Sequence, residues 1–145
     1  MKLRFIFATL FLSMSINAQS IIHVDNSLRM PLQRALLELK KVGVNYDPIS
    51  EPFILMYGKT RNKAAAASLG RHKDGVLIFV NQSVFDGYDM RTKVWIIIHE
   101  LAHDVFDLGH TEDGVMIAEI PNAITMDMWR QSMNILKEQI NNRRE

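Results

Sequence analysis

Apolar residues recur every three or four positions in three segments of the chain, and this spacing predicts three amphipathic helices. The first segment covers residues 28–42 and is followed by Gly43, a residue typical of helix ends. The second begins after Asp89, a candidate N-cap, and continues to about residue 105. The third follows Pro121 and covers residues 124–140. Its methionines and tryptophan lie at ordinary helical spacing, which favours core packing over a membrane or cofactor surface.

Two short apolar runs, residues 53–57 and 76–80, have the length and the β-branched and aromatic content of buried strands. The alanine-rich segment 64–69 is compatible with either a helix or a strand. The turn residues 72–75 favour a hairpin between this segment and the 76–80 strand. The order of elements predicts an α+β fold, in which a small mixed sheet is combined with an N-terminal helix, a central helix and a C-terminal helix.

The first 18 residues have the pattern of a secretory signal peptide. Lys2 and Arg4 precede an apolar stretch, and small or polar residues lead to a cleavage site near Ala18. This stretch is shorter than the roughly 20 residues of a transmembrane helix, so no stable membrane anchor is expected. We therefore expect an exported protein, periplasmic or secreted, with one domain over residues 19–145. Loss of the two basic residues takes the net charge from +1 to −1.

Composition excludes several classes of site and partner. The chain of 145 residues contains no cysteine, so it has no disulfide, no thiolate metal ligand, no catalytic thiol and no lipid-modified cysteine. Its near-neutral charge gives no reason to expect nucleic acid as a partner, because such binding needs clustered Lys and Arg. A metal site in this chain would have to use His, Asp or Glu.

The central predicted helix carries the sequence His99-Glu100-Leu-Ala-His103, which matches HExxH. Two histidines four residues apart lie on one face of a helix, one turn apart, and can reach the same metal ion. Glu100 lies about 100° around the helix from His99, where it can hydrogen-bond a metal-bound water without being a ligand. Zinc lowers the pKa of such a water to about 7, and Glu100 is then the candidate general base.

A catalytic zinc site usually has three protein ligands and one open position, so a third ligand is required. His110 is the first candidate, but it lies two helical turns beyond His103, and the chain must leave the helix and turn back. Asp107 and Gly109 both tolerate the left-handed conformation that such a bend needs. A carboxylate remains the alternative third ligand, from Glu119, Glu112 or Asp113.

The segment His99 to His110, HELAHDVFDLGH, resembles the extended zinc motif HExxHxxGxxH of the metzincin metallopeptidases. The following Gly-Val-Met116-Ile resembles their Met-turn. Two features differ: six residues instead of five separate His103 from His110, and Phe106 stands where the family has glycine. The segment also resembles the HELxHDVxxLxH pattern of small exported bacterial proteins treated as zinc metallopeptidases. The resemblance implies a zincin-like catalytic domain whose edge strand, which we assign to residues 76–80, pairs with an extended peptide substrate.

These observations together predict an exported, zinc-dependent metallopeptidase acting on a peptide or protein. His99, His103 and His110 are the expected Zn²⁺ ligands, Glu100 the general base and Met116 the residue of the Met-turn. Two other functions use the same residues: a zinc-stabilised binding module without activity, and a zinc amidohydrolase acting on a non-peptide substrate. Other polar residues have less defined expectations: Asp104 and Asp107 as ligand-orienting or surface carboxylates, His23 and His72 as exposed bystanders, and Tyr57 and Tyr88 as possible oxyanion donors.

Overall fold

A computed structural model describes residues 22–69 and 74–144, without the side chain of residue 144. The predicted signal peptide, its cleavage position and His72 lie outside these residues. The described part forms the predicted α+β fold, with a four-stranded mixed sheet and four α-helices. The helices are α1 (Arg29–Lys41), α2 (Gln82–Phe85), α3 (Met90–Phe106) and α4 (Met126–Arg144). The three long helices confirm the three periodic segments of the sequence.

The sheet contains β1 (Ile22–Val24), β2 (Phe53–Tyr57), β3 (Ala66–Ser68) and β4 (Val76–Val80) in the order β1-β2-β4-β3. Strands β1, β2 and β4 are parallel, whereas β3 runs antiparallel to β4. The predicted hairpin is therefore confirmed. Gly75 at its turn has φ of 103°, and a Cβ there would lie 2.5 Å from the Pro52 carbonyl oxygen. This close approach explains why glycine stands at the start of β4.

The assignment of residues 76–80 to the edge of the sheet is wrong. Strand β4 pairs with β2 on one side and with β3 on the other, so both rows of its backbone groups face neighbouring strands. The edge next to the central helix is the short alanine-rich strand β3. On one face of β4, Val76, Ile78 and Val80 are buried, while Leu77 and Phe79 on the other face are half-buried.

Helix α3 forms the centre of the fold. The Asp89 carboxylate caps its N-terminus by accepting a hydrogen bond of 2.7 Å from the Thr92 N–H. Residues 94–98 are all buried, because α3 packs against α1, the β3–β4 hairpin and the 3₁₀ turn Gly114–Met116. On α4, Trp129 packs against Trp95 with 6.0 Å between ring centroids. The helix that carries the HExxH residues is therefore held from several sides.

The third predicted helix corresponds to α4, and its apolar residues pack in the core as expected. Trp129, Met133, Leu136 and Ile140 of α4 are buried in the hydrophobic core, as ordinary helical packing requires. Within the described residues, no helix combines the length and the apolar character that crossing a membrane requires.

Candidate metal centre

Three histidine side chains converge at the C-terminal half of α3. The Nε2 atom of His103 lies 3.0 Å from Nε2 of His99 and 3.2 Å from Nε2 of His110. Three nitrogens that each lie about 2.0–2.1 Å from one tetrahedral zinc ion are roughly 3.3 Å apart, so the observed spacing fits such an ion. Within the described residues, these three histidines form the one group of His, Asp and Glu side chains close enough to hold a metal.

The hydrogen bonds of the rings define which nitrogens face each other. Nδ1 of His99 lies 2.8 Å from the Val115 carbonyl oxygen, and Nδ1 of His103 lies 2.6 Å from that of Leu108. A carbonyl can only accept, so both Nδ1 atoms carry the proton and both Nε2 atoms of the neutral rings present lone pairs. Two lone pairs 3.0 Å apart repel unless a cation lies between them. The donor set therefore fits a bound metal ion, and three imidazoles without a thiolate suit zinc.

Burial keeps two of these imidazoles neutral. Loss of hydration on burial lowers the pKa of His99 to about 4, although the hydrogen bond to Val115 acts in the opposite direction. Burial also lowers the pKa of His103, again opposed by its hydrogen bond to a backbone carbonyl. A ligand imidazole must be neutral to bind a metal, so these two rings are in the ligand form at neutral pH.

The chain reaches His110 through a bend at Asp107. This residue has φ of 52° in the left-handed region, and the Leu108 N–H closes the helix end with a 3.1 Å hydrogen bond to the Ala102 carbonyl. The expectation for Asp107 is confirmed, whereas Gly109 has no positive φ. Phe106 is the last helical residue of α3, so the chain turns at the position directly after it.

Glu100 lies next to the histidines on α3. Its Oε2 atom accepts a 2.7 Å hydrogen bond from the backbone N–H of Ser68 on β3, and only 7% of the residue is exposed. Burial raises the pKa of the Glu100 carboxyl to about 7, although the Ser68 hydrogen bond opposes the shift. A carboxyl whose pKa lies near neutrality can both accept and release a proton under working conditions.

We expect Glu100→Gln to stabilise the metal-free protein at high pH. The raised pKa makes the folded wild type keep a proton that the unfolded chain has released between pH 4.5 and 7, so wild-type stability falls as pH rises through this window. The variant has no such loss. The difference in unfolding free energy should grow from near zero at pH 4 to about 3 kcal/mol at pH 8.

Urea unfolding in the presence of a chelator measures this difference. The low pKa of His99 makes the same contribution to the pH dependence of stability in both proteins, so it cancels in the difference. The comparison at pH 4 is the internal control, because the wild-type carboxyl is protonated there and resembles the neutral amide of the variant. A difference that stays constant from pH 4 to pH 8 would contradict the raised pKa of Glu100.

The three histidines line an open cleft of about 880 Å³, together with Glu100 and strand β3. Along an antiparallel pair, backbone groups alternate between the partner strand and the outside. The hydrogen bonds of Leu69 to Leu77 and of Asn81 to Ala65 define this alternation, so Ala66 and Ser68 direct their N–H and C=O groups away from β4. The Ser68 N–H bound to Glu100 shows that this outer edge faces the histidine cluster.

The carboxylates considered as alternative third ligands do not join the cluster: Glu112, Asp113 and Glu119 are exposed and lie outside the group of His99, His103 and His110. The half-buried imidazoles of His99 and His103 donate from Nδ1 to backbone carbonyls, not to carboxylates. Asp104 is 2% exposed and accepts from the Leu77 N–H, and Asp107 pairs with Arg143.

The remaining candidates have defined positions. Met116 is completely buried in the 3₁₀ turn after His110. Tyr57 donates to Asp86 and accepts from Ser27, away from the cleft lining. Tyr88 lines a second cavity of about 300 Å³ that shares His99 and Glu100 with the cleft. His23 is exposed and hydrogen-bonded to Asp25.

Three groups at the site were not predicted from the sequence: the carbonyls of Leu108 and Val115, and the N–H of Ser68. All three are backbone groups, so residue type carries no signal for them. Their positions depend on the bend, the 3₁₀ turn and the sheet edge.

Comparison with known proteins adds no family to this geometry: no protein-family model, no curated protein and no solved structure matches the chain.

Proposed function

We propose that this protein is an exported zinc-dependent metallopeptidase. The observation that carries the proposal is the convergence of three imidazole Nε2 atoms beside a buried carboxylate, in a cleft bordered by the outer edge of strand β3. Two of the nitrogens have their lone pairs directed at a common point by hydrogen bonds on the opposite side of the ring. Such outer hydrogen bonds fix ligand orientation in metal sites. The pattern of residues 1–18 supports export.

In this proposal each residue has a distinct role. His99, His103 and His110 hold the zinc ion, which when bound activates water and polarises the carbonyl to be attacked. Glu100 accepts the proton released by water and later passes it to the leaving amine. The Ser68 N–H holds one carboxylate oxygen of Glu100 and leaves the other for the water. In the metal-free state burial raises the pKa of the Glu100 carboxyl, and a bound cation would lower that pKa again, which favours the ionised form that can accept a proton.

The proposed substrate is a peptide in extended conformation. Ala66 and Ser68 direct backbone hydrogen-bonding groups into the cleft, and an added strand could pair with those that Glu100 does not use. This replaces residues 76–80 by β3 as the substrate-pairing strand. A backbone-paired substrate would be recognised through its main chain, so a peptide fits this edge better than a small amide does.

The proposed function is tested by incubating the purified mature chain, loaded with zinc, with a diverse peptide library. We expect cleavage that a chelator abolishes and that added zinc restores. Folded, zinc-loaded protein that cleaves no peptide would contradict the peptidase and favour a zinc-stabilised binding module. Chelator-sensitive hydrolysis of small amides without peptide cleavage would favour an amidohydrolase instead.

A further inference from the structure

His110 differs from the other two histidines in how its ring is held. His99 and His103 each have their Nδ1 atom fixed by a backbone carbonyl. No hydrogen bond to Nδ1 of His110 is found within residues 22–69 and 74–144, and the residue is exposed. The position of its imidazole therefore depends on the backbone of the loop that carries it.

This loop is attached to the C-terminal helix at both sides of His110. Nη1 of Arg143 lies 2.9 Å from Oδ2 of Asp107, the left-handed residue at the bend. Nε2 of Gln139 lies 3.4 Å from Oγ1 of Thr111, which directly follows His110. The two contacts join residues 36 and 28 positions apart in the chain, so they are tertiary contacts of the loop.

The contacts come from one face of α4. Gln139 and Arg143 are four residues apart, and Ile135 lies one turn before them on the same face. Ile135 packs against Gly114, where an added Cβ would lie 3.0 Å from the Ile135 Cγ2 atom. Successive turns of α4 therefore contact the loop at its start, next to the ligand and at its end.

We propose that Arg143 and Gln139 are positioning residues for His110, through which α4 completes the metal site. The inference rests on the proposed function, because it requires that His110 binds zinc. Arg143 and Asp107 are 54% and 61% exposed, so their ion pair is expected to have a modest effect that salt weakens. Gln139 adds a second contact close to the ligand.

The test is the zinc affinity of wild type and variants, measured by chelator competition. We expect Arg143→Ala to weaken zinc binding roughly two- to fivefold, and the Arg143→Ala/Gln139→Ala double variant to weaken it up to roughly tenfold. Asp107→Asn removes the charge but keeps a residue that tolerates the left-handed conformation, so it should weaken zinc binding as much as Arg143→Ala does. Combining the two substitutions should weaken zinc binding no further. Arg130→Ala is the control, because it also removes an arginine of α4 but one that pairs with Asp127 on the same helix. The zinc affinity of this variant should equal that of wild type.

The His110→Ala background separates positioning from general destabilisation. If α4 acts through His110, the Arg143→Ala/Gln139→Ala pair should cause no further loss of zinc affinity once the imidazole is absent. An equal loss in both backgrounds, or none in the wild-type background, would overturn the inference while leaving the zinc site in place. Wild-type affinity in His110→Ala alone would overturn it too, since His110 would then not be a ligand. A wild-type chain that binds no zinc would overturn the proposed function itself.

Discussion

Peptide hydrolysis is expected to fall about 10²- to 10⁴-fold in a Glu100→Ala variant that still binds one zinc ion, which is the usual contribution of a general base. The carboxylate lies on the same turn of α3 as His99 but does not belong to the group of three histidines that is close enough to hold a metal. Its removal should therefore spare the metal and affect only proton transfer. Initial rates on a peptide identified from the library, together with the zinc content of each preparation, measure the two effects separately.

Two further variants define the role of the carboxylate. Glu100→Gln keeps an oxygen that can accept from the Ser68 N–H but cannot take up a proton, so it should be as inactive as Glu100→Ala. Glu138→Ala removes an exposed carboxylate on α4, outside the lining of the cleft, and should retain wild-type rates. Substantial hydrolysis by zinc-loaded Glu100→Gln would exclude Glu100 as the base.

The sequence predicted the parts of the site that depend on local periodicity. HExxH on an amphipathic segment requires a helix, and α3 starts at the predicted cap Asp89. The bend at Asp107 was also predictable, because few residues other than glycine tolerate φ of 52°. Six residues between His103 and His110 are therefore compatible with convergence of the two rings, since the chain turns back at Asp107, directly after the helix ends.

The strand order was not predictable in the same way. Strand β4 is an apolar run whose two neighbours, β2 and β3, are defined only by long-range pairing. Strands β1 and β3 have three residues each, too few to show an alternating pattern. The edge that faces the histidines was consequently assigned to the wrong strand, although the hairpin itself was predicted. The contacts of the Leu108 and Val115 carbonyls with the histidine rings depend on the bend and the 3₁₀ turn, and residue type carries no signal for them.

Zinc affinity is expected to fall by more than about 100-fold in a His103→Ala variant. Loss of a group that merely orients a ligand typically costs 10- to 100-fold, and loss of the ligand itself should cost more. His103 is the central member of the cluster, since its Nε2 lies 3.0 and 3.2 Å from the other two nitrogens. Chelator competition on the purified variant measures the change.

Thermal stability provides an independent readout of the same prediction. Zinc at 100 times its dissociation constant should stabilise the wild-type fold by about 2.7 kcal/mol, because the ion binds the folded chain. The same zinc concentration should leave the stability of His103→Ala almost unchanged. Without metal, the variant loses the hydrogen bond to Leu108 and the ring contacts with His99 and His110, together with the repulsion between the facing lone pairs. His23→Ala removes an exposed histidine outside the cluster and should respond to zinc as wild type does. Equal zinc stabilisation of wild type and His103→Ala would place the bound ion elsewhere, because a site built on three converging imidazoles cannot lose its central nitrogen without losing affinity.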